Sequence, residues 1–174
     1  MPWMVALPRR NVEGWSVPMT DADFMRQAID VSRRGMASGA GGPFGAVVVM
    51  DGQVVAEGWN QVTSTNDPTA HAEVVAIRRA CAALGRFDLR GATVYTSCEP
   101  CPMCLAALYW ARVDAVAYAN DRFQAAAIGF DDELLYTELP KPIEARSLPM
   151  RRLLAAEALE VFEAWAAKPD KVAY

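Results

Sequence analysis

Hydrophobic and polar positions follow two rhythms along this chain, one of helices and one of strands, and both break at glycine and proline. From about residue 20 to 38, Phe24, Met25, Ala28, Ile29 and Val31 recur at three- and four-residue spacing, with Thr20 or Asp21 placed to cap the first turn. Gly39-Ala-Gly-Gly-Pro43 ends that predicted helix. Residues 44–50 and 53–58 are short β-branched runs on either side of Asp51-Gly52, a type I′ hairpin signal. Residues 60–68 are polar and predict a loop, and residues 70–84 predict a helix closed by Gly85. A third strand is expected at 92–96, a helix with proline in its first turn at 100–112, and a fourth strand at 113–119. The order β-β-α-β-α-β predicts an α/β sheet with helices packed on it. Short helical pieces around Gly129-Phe-Asp-Asp132 follow, then a segment punctuated by prolines 140, 142 and 149, and an amphipathic helix at 153–167. Residues 1–18 show no periodicity and read as an extension; 19–174 read as one domain.

Composition narrows the classes without changing the topology. A chain of 174 residues, 53% hydrophobic and 22% charged, fits one globular domain with an ample core. A net charge of −4 argues against nucleic acid as partner, which would call for a basic face. No stretch approaches the roughly 18–20 apolar residues of a membrane span. The first ten residues, broken by Pro2 and Pro8, have too short an apolar run for a secretory signal, so the expected location is cytoplasmic.

Cysteine spacing brings in the chemistry. Cys98, Cys101 and Cys104 fall within seven residues, a poor arrangement for stapling a domain and a good one for holding a metal. Some thirty residues earlier, His71-Ala-Glu73 supplies the sole histidine of the chain and a carboxylate two residues on. Cys101 and Cys104, three apart, share a face of the predicted helix, whose N-terminus favours thiolate. Cys98 and Cys101 have the same CxxC spacing but straddle a strand–helix boundary, which makes them the weaker pair. Cys81 reads as a buried core thiol. His71 and Glu73, both in the first turn of the predicted helix, are expected to point about 200° apart, placing Glu73 beside a metal rather than on it. One imidazole, two thiolates and an open position are the ligand set of a hydrolytic zinc site, with Glu73 as proton carrier. The arrangement H-x-E…P-C-x-x-C is the established signature of zinc nucleobase deaminases. No second histidine stands ready to close the site as a structural zinc centre.

On these residues the chain resembles the cytidine deaminase-like superfamily, and within it the bacterial guanine deaminases, over about 19–174. The resemblance rests on Gly42-Pro-Phe-Gly-Ala46, Asn66-Asp-Pro-Thr-Ala-His-Ala-Glu73, Tyr95-Thr-Ser-Cys-Glu-Pro-Cys-Pro-Met-Cys104, Tyr109-Trp-Ala-Arg112, Gly129-Phe-Asp-Asp132 and the final Tyr174. It implies a three-layer α/β/α sandwich with a central mixed sheet. It implies one zinc ion per subunit on His71, Cys101 and Cys104, and Glu73 as proton shuttle. Phe44 and Asn60 would line a purine pocket, and Asp132 and Tyr174 would contact or cover the substrate. The C-terminal helical segment, 131–174, can in that family cross to the neighbouring subunit, so a homodimer is implied. The expected reaction is hydrolytic deamination of guanine to xanthine and ammonia. Guanosine, cytosine and tRNA adenosine are rival substrates, and a zinc-stabilised purine-binding protein without catalysis is a rival class. Taken by themselves, Asn60 fits a loop turn, Asp132 a helix cap and Tyr174 a chain end.

Overall fold

The computed structural model describes residues 18–173, so the proposed extension lies almost wholly outside the described residues, as does Tyr174. Two compact units divide at Asp131/Asp132.

In the first unit, α1 (Asp21–Ala37) starts at Thr20, which forms a reciprocal capping box with Asp23. β1 (Gly45–Met50) and β2 (Gln53–Trp59) form the expected hairpin, with Asp51 and Gly52 both at positive φ (50° and 71°), as a type I′ turn requires. The predicted loop contains one further turn of helix, α2 (Val62–Thr65). α3 (Ala72–Leu84), β3 (Ala92–Cys98), α4 (Pro102–Ala111), β4 (Ala115–Asn120) and α5 (Arg122–Ala127) follow. The strands make one mixed sheet in the order β2-β1-β3-β4, antiparallel except for β3 with β4.

Strand alternation divides the core. Ala46, Val48 and Val94 face Ala72, Ala76, Ala80, Leu108 and Ala111 of α3 and α4. Val47, Val49 and Tyr95 face Phe24, Ala28 and Val31 of α1. β1 is therefore buried on both sides, which is why its sequence is a continuous apolar run rather than an alternating one. The result is α1 / sheet / α3 with α4, the expected three-layer sandwich. α3 lies unusually close to the sheet because β2 offers it the bare backbone of Gly58. A Cβ there would lie 2.2 Å from the Ala72 carbonyl oxygen and 2.5 Å from the Ala76 nitrogen.

The second unit contains α6 (Glu133–Glu138), a 3-10 turn at Ile143–Ala145 and α7 (Ala155–Ala167). The Arg146 guanidinium donates to the Leu139 and Lys141 carbonyls, and Ser147 N–H donates to Glu138. α7 buries none of its residues, although Leu159, Val161, Phe162 and Trp165 lie along it. No helix among the described residues is long and apolar enough to cross a membrane.

Candidate active site

Two helix N-termini converge on the site. Both helices begin two residues later than their sequence periods suggest, because His71 and Cys101 are the N-cap residues of α3 and α4, with extended backbones (ψ 157° and 165°). Pro102, not Pro100, is the helix-starting proline. An N-cap side chain ordinarily accepts from the N–H groups of the first turn. Neither His71 nor Cys101 does so; both turn towards each other across the two helix ends. Cys104 lies in the first turn of α4 and is fully buried. His71 Nδ1 is 3.6 Å from Cys101 Sγ and 3.5 Å from Cys104 Sγ, and one ligand atom from each of the three residues lies within 4.8 Å of the others.

That geometry fits zinc. Bond lengths near 2.05 Å to nitrogen and 2.3 Å to sulfur at a tetrahedral angle place N and S about 3.6 Å apart. A third protein ligand completes the set and leaves the fourth position open, as in catalytic zinc sites. Cys98 is not part of the cluster: its thiol bonds the Asp121 carbonyl oxygen at 3.7 Å. Cys81, on α3, is half-buried at the edge of the core rather than the fully buried thiol expected, and takes no part in the cluster.

The electrostatics suit a cation. The Cys104 thiol donates to Cys101 and, with His71 beside it, brings Cys101 down to about 4 despite burial. The same contacts push Cys104 up, with burial and the Glu73 carboxylate adding to the effect. His71 is raised above its usual value by the Cys101 thiolate. A thiolate at Cys101, the N-cap of α4, is favoured by these contacts.

Glu73, in the first turn of α3, is buried within this site, and burial raises its pKa above the ordinary carboxylate value. The Thr96 hydroxyl of β3 donates to its Oε1 at 3.0 Å. Glu73 makes no ion pair among the described residues and stays out of the metal cluster. Its separation from the ligands follows from His71 standing outside the helix, rather than from two residues opposed around a regular turn.

Phe44 directly precedes β1 and Asn60 directly follows β2, and the Asn60 N–H donates to the Phe44 carbonyl oxygen at 3.0 Å. Asn60 is buried, and its Oδ1 accepts from the N–H groups of Gly42 (3.3 Å) and Val62 (3.2 Å). With its oxygen thus engaged, the amide presents its Nδ2 donors rather than both edges. Phe44 is half-buried, and Phe130 packs edge-on against it with ring centroids 4.8 Å apart. Asp132 belongs to the second unit and occupies the N-cap position of α6 without forming a capping hydrogen bond, so it is not an ordinary side-chain cap.

Sequence reasoning missed the way the metal loop is docked. Four consecutive side chains each engage a different partner: Thr96 bonds Glu73, Ser97 accepts from Gly45 N–H, Cys98 bonds the Asp121 carbonyl, and Glu99 accepts from Arg122 N–H. The available signal was Thr96 itself, a polar residue at the inward beat of Ala92 and Val94 on β3.

The fold and these residues together define a hydrolytic zinc site of the nucleobase deaminase type. Residues 18–120 match the cytidine and deoxycytidylate deaminase zinc-binding region, and the chain belongs to that family. The chain is 50% identical to the guanine deaminase of Bacillus subtilis over 156 residues, 90% of this chain and 100% of that one. The solved structure of the B. subtilis guanine deaminase superposes with a TM-score of 0.87, covering 90% of this chain and 99% of that chain. A tRNA-specific adenosine deaminase of Agrobacterium fabrum is 45% identical over 86 residues, 49% of this chain and 57% of that one.

Proposed function

We propose that this protein hydrolyses guanine to xanthine and ammonia. The observation that carries the reading is the extent of the guanine deaminase match. It runs over 156 residues at 50% identity, well beyond the zinc-binding region at 18–120, whereas the tRNA deaminase match covers 49% of the chain.

In this reading His71, Cys101 and Cys104 hold one zinc ion per subunit. When bound there, zinc supplies the Lewis acidity that makes water acidic enough to lose a proton near neutral pH. Glu73 takes that proton as the water oxygen adds to C2 of guanine, and delivers it to ring N3. Glu73 then carries the remaining proton of the hydroxyl added at C2 to the C2 amino group; the C–N bond breaks as the C2 carbonyl forms and ammonia leaves, so one water is consumed for each ammonia released. A buried carboxyl with a raised pKa suits a group that must hold a proton between these steps. Phe44 forms one wall for the flat heterocycle, and Asn60 donates from Nδ2 to an acceptor on its edge. Asp132 accepts from the substrate's N–H groups, and Tyr174 covers it.

We further propose that 131–174 crosses to a second copy in a homodimer. Residues 1–18 are then an addition to the domain at 19–174. The cytoplasm is the proposed location.

Ammonia release from guanine, guanosine, cytosine, adenine and a tRNA anticodon stem, measured beside zinc content, tests the function. Turnover of guanine above the others is expected. Turnover of another member in its place refutes the substrate, and release from none supports a binding protein.

A further inference from the structure

Thr96 occupies an odd place for a hydroxyl. It is fully buried on β3, on the sheet face that packs against α3 and α4, where the surrounding cluster is alanine, valine and leucine. Its backbone is held on both sides, by Ala46 of β1 and Tyr118 of β4. The hydroxyl is therefore carried by a central strand that cannot shift independently of the sheet. It donates to Glu73 Oε1 at 3.0 Å across the gap between sheet and helix.

A carboxylate has two equivalent oxygens and turns freely about its last bond unless one oxygen is held. Glu73 stands on α3 and has no ion-pair partner among the described residues to orient it. The Cys104 thiol and the backbone N–H of Glu73 also lie against the carboxyl, but Cys104 is a metal ligand, and Thr96 is the partner that ties one oxygen, Oε1, to the sheet. Building on the proposed reading of Glu73 as proton carrier, we propose that Thr96 is a positioning residue for catalysis: its hydroxyl pins Oε1 to the sheet and leaves Oε2 as the oxygen that meets water and substrate. A hydroxyl is suited to this task because it both donates and accepts, so it keeps its partner whether or not the carboxyl carries the proton. Positioning of this kind is worth a large factor in rate, since misplacing a reacting group by about 1 Å can cost about 100-fold.

The alternative is that Thr96 merely fills space in a β-strand, where branched side chains pack well. Two variants separate the readings because they remove opposite halves of the side chain. Thr96→Val keeps the shape and loses the hydroxyl; Thr96→Ser keeps the hydroxyl and loses the methyl group. Positioning predicts that Thr96→Val lowers kcat about 10- to 100-fold with KM within about twofold. Zinc should stay at the wild-type stoichiometry, and Thr96→Ser should recover most of the rate. In a Glu73→Gln background, Thr96→Val should lower the residual rate no further, because the group it acts through is already gone.

Wild-type kcat in Thr96→Val, or a loss in Thr96→Ser as large as in Thr96→Val, overturns the proposal, as does loss of zinc from Thr96→Val. If circular dichroism and thermal melting show that Thr96→Val does not fold, Thr96→Ala against Thr96→Ser supplies the same contrast, because they differ by the hydroxyl alone. An active wild-type enzyme with an unaffected Thr96→Val refutes this inference and leaves the proposed function standing. A wild-type chain that releases ammonia from no heterocycle refutes both.

Discussion

Gly58→Ala is the substitution that most directly links packing to chemistry. Gly58 lies on β2, paired with Ala46, and α3 rests on its bare backbone. A methyl group there would lie 2.2 Å from the Ala72 oxygen and 2.5 Å from the Ala76 nitrogen, where real contacts essentially never fall below 3.0 Å. Both are backbone atoms, so no side chain can rotate away, and the start of α3 must retreat by about 0.8 Å or β2 must yield. Ala72 stands between His71 and Glu73, so the retreat carries a metal ligand and the proton carrier with it. The His71–Cys distances of 3.5 and 3.6 Å would open by a large fraction of that movement. Overpacking of this type costs about 1–3 kcal/mol, a fall of roughly 2–12 °C in Tm for a domain of this size. Misplacement approaching 1 Å in the site should lower kcat/KM by up to about 100-fold. Thermal melting, zinc content by atomic absorption and ammonia release on the same preparation read all three effects. If the variant melts within about 1 °C of wild type, with full zinc and full activity, α3 is not seated by the bare backbone of Gly58 and the packing account fails.

Glu73→Gln keeps the shape of the side chain and an oxygen for Thr96 but cannot carry a proton; it should retain zinc and lose activity by about 10²–10⁴-fold, and near wild-type turnover would refute its role. Cys101→Ala and Cys104→Ala should lose zinc while Cys98→Ala keeps it, since the Cys98 thiol is committed to the Asp121 carbonyl; metal analysis showing the reverse would exchange the ligands. Burial and the hydrogen bond that Tyr95 donates to Asp21 raise its phenol to about 12 from 10.0. A raised pKa means the folded chain holds the proton more tightly, so this contribution is complete below pH 10 and is lost as pH climbs towards about 12. Tyr95→Phe should therefore be less stable than wild type at pH 9, by roughly 1 kcal/mol in urea unfolding, and the gap should close near pH 12; a constant gap would be inconsistent with this. Asp132→Ala and removal of residues 170–174 should each raise KM for guanine while zinc is retained; unchanged KM in both would exclude the C-terminal segment from the pocket.

What the sequence determined by itself was local. Helix periods, the Asp51-Gly52 turn and the apolar strands all express preferences that act over a few residues, so the order of elements was legible. The site's chemical content was legible too, because the chain has one histidine, a carboxylate two residues after it and a tight group of cysteines. The starts of α3 and α4 lie two residues later than the sequence pattern suggests because His71 and Cys101 keep the helical spacing while their backbones are extended. The i, i+3 spacing of Cys101 and Cys104 favours them as the ligand pair, but what removes Cys98 is its contact with Asp121, twenty-three residues away. The polarity of Asn60 is legible only in part: the bond from Val62 N–H, two residues on, is the local turn expected of a loop Asn, whereas the bond from Gly42 N–H, eighteen residues away, forms only in the folded chain. Thr96 met Glu73 for the same kind of reason, since a strand and a helix twenty-three residues apart had to pack before either side chain had a partner. The sequence thus determined which groups were available and on which elements they rode. Tertiary structure decided which atoms met, because hydrogen bonds and metal ligation depend on distances of a few ångströms between segments whose relative position no local preference sets.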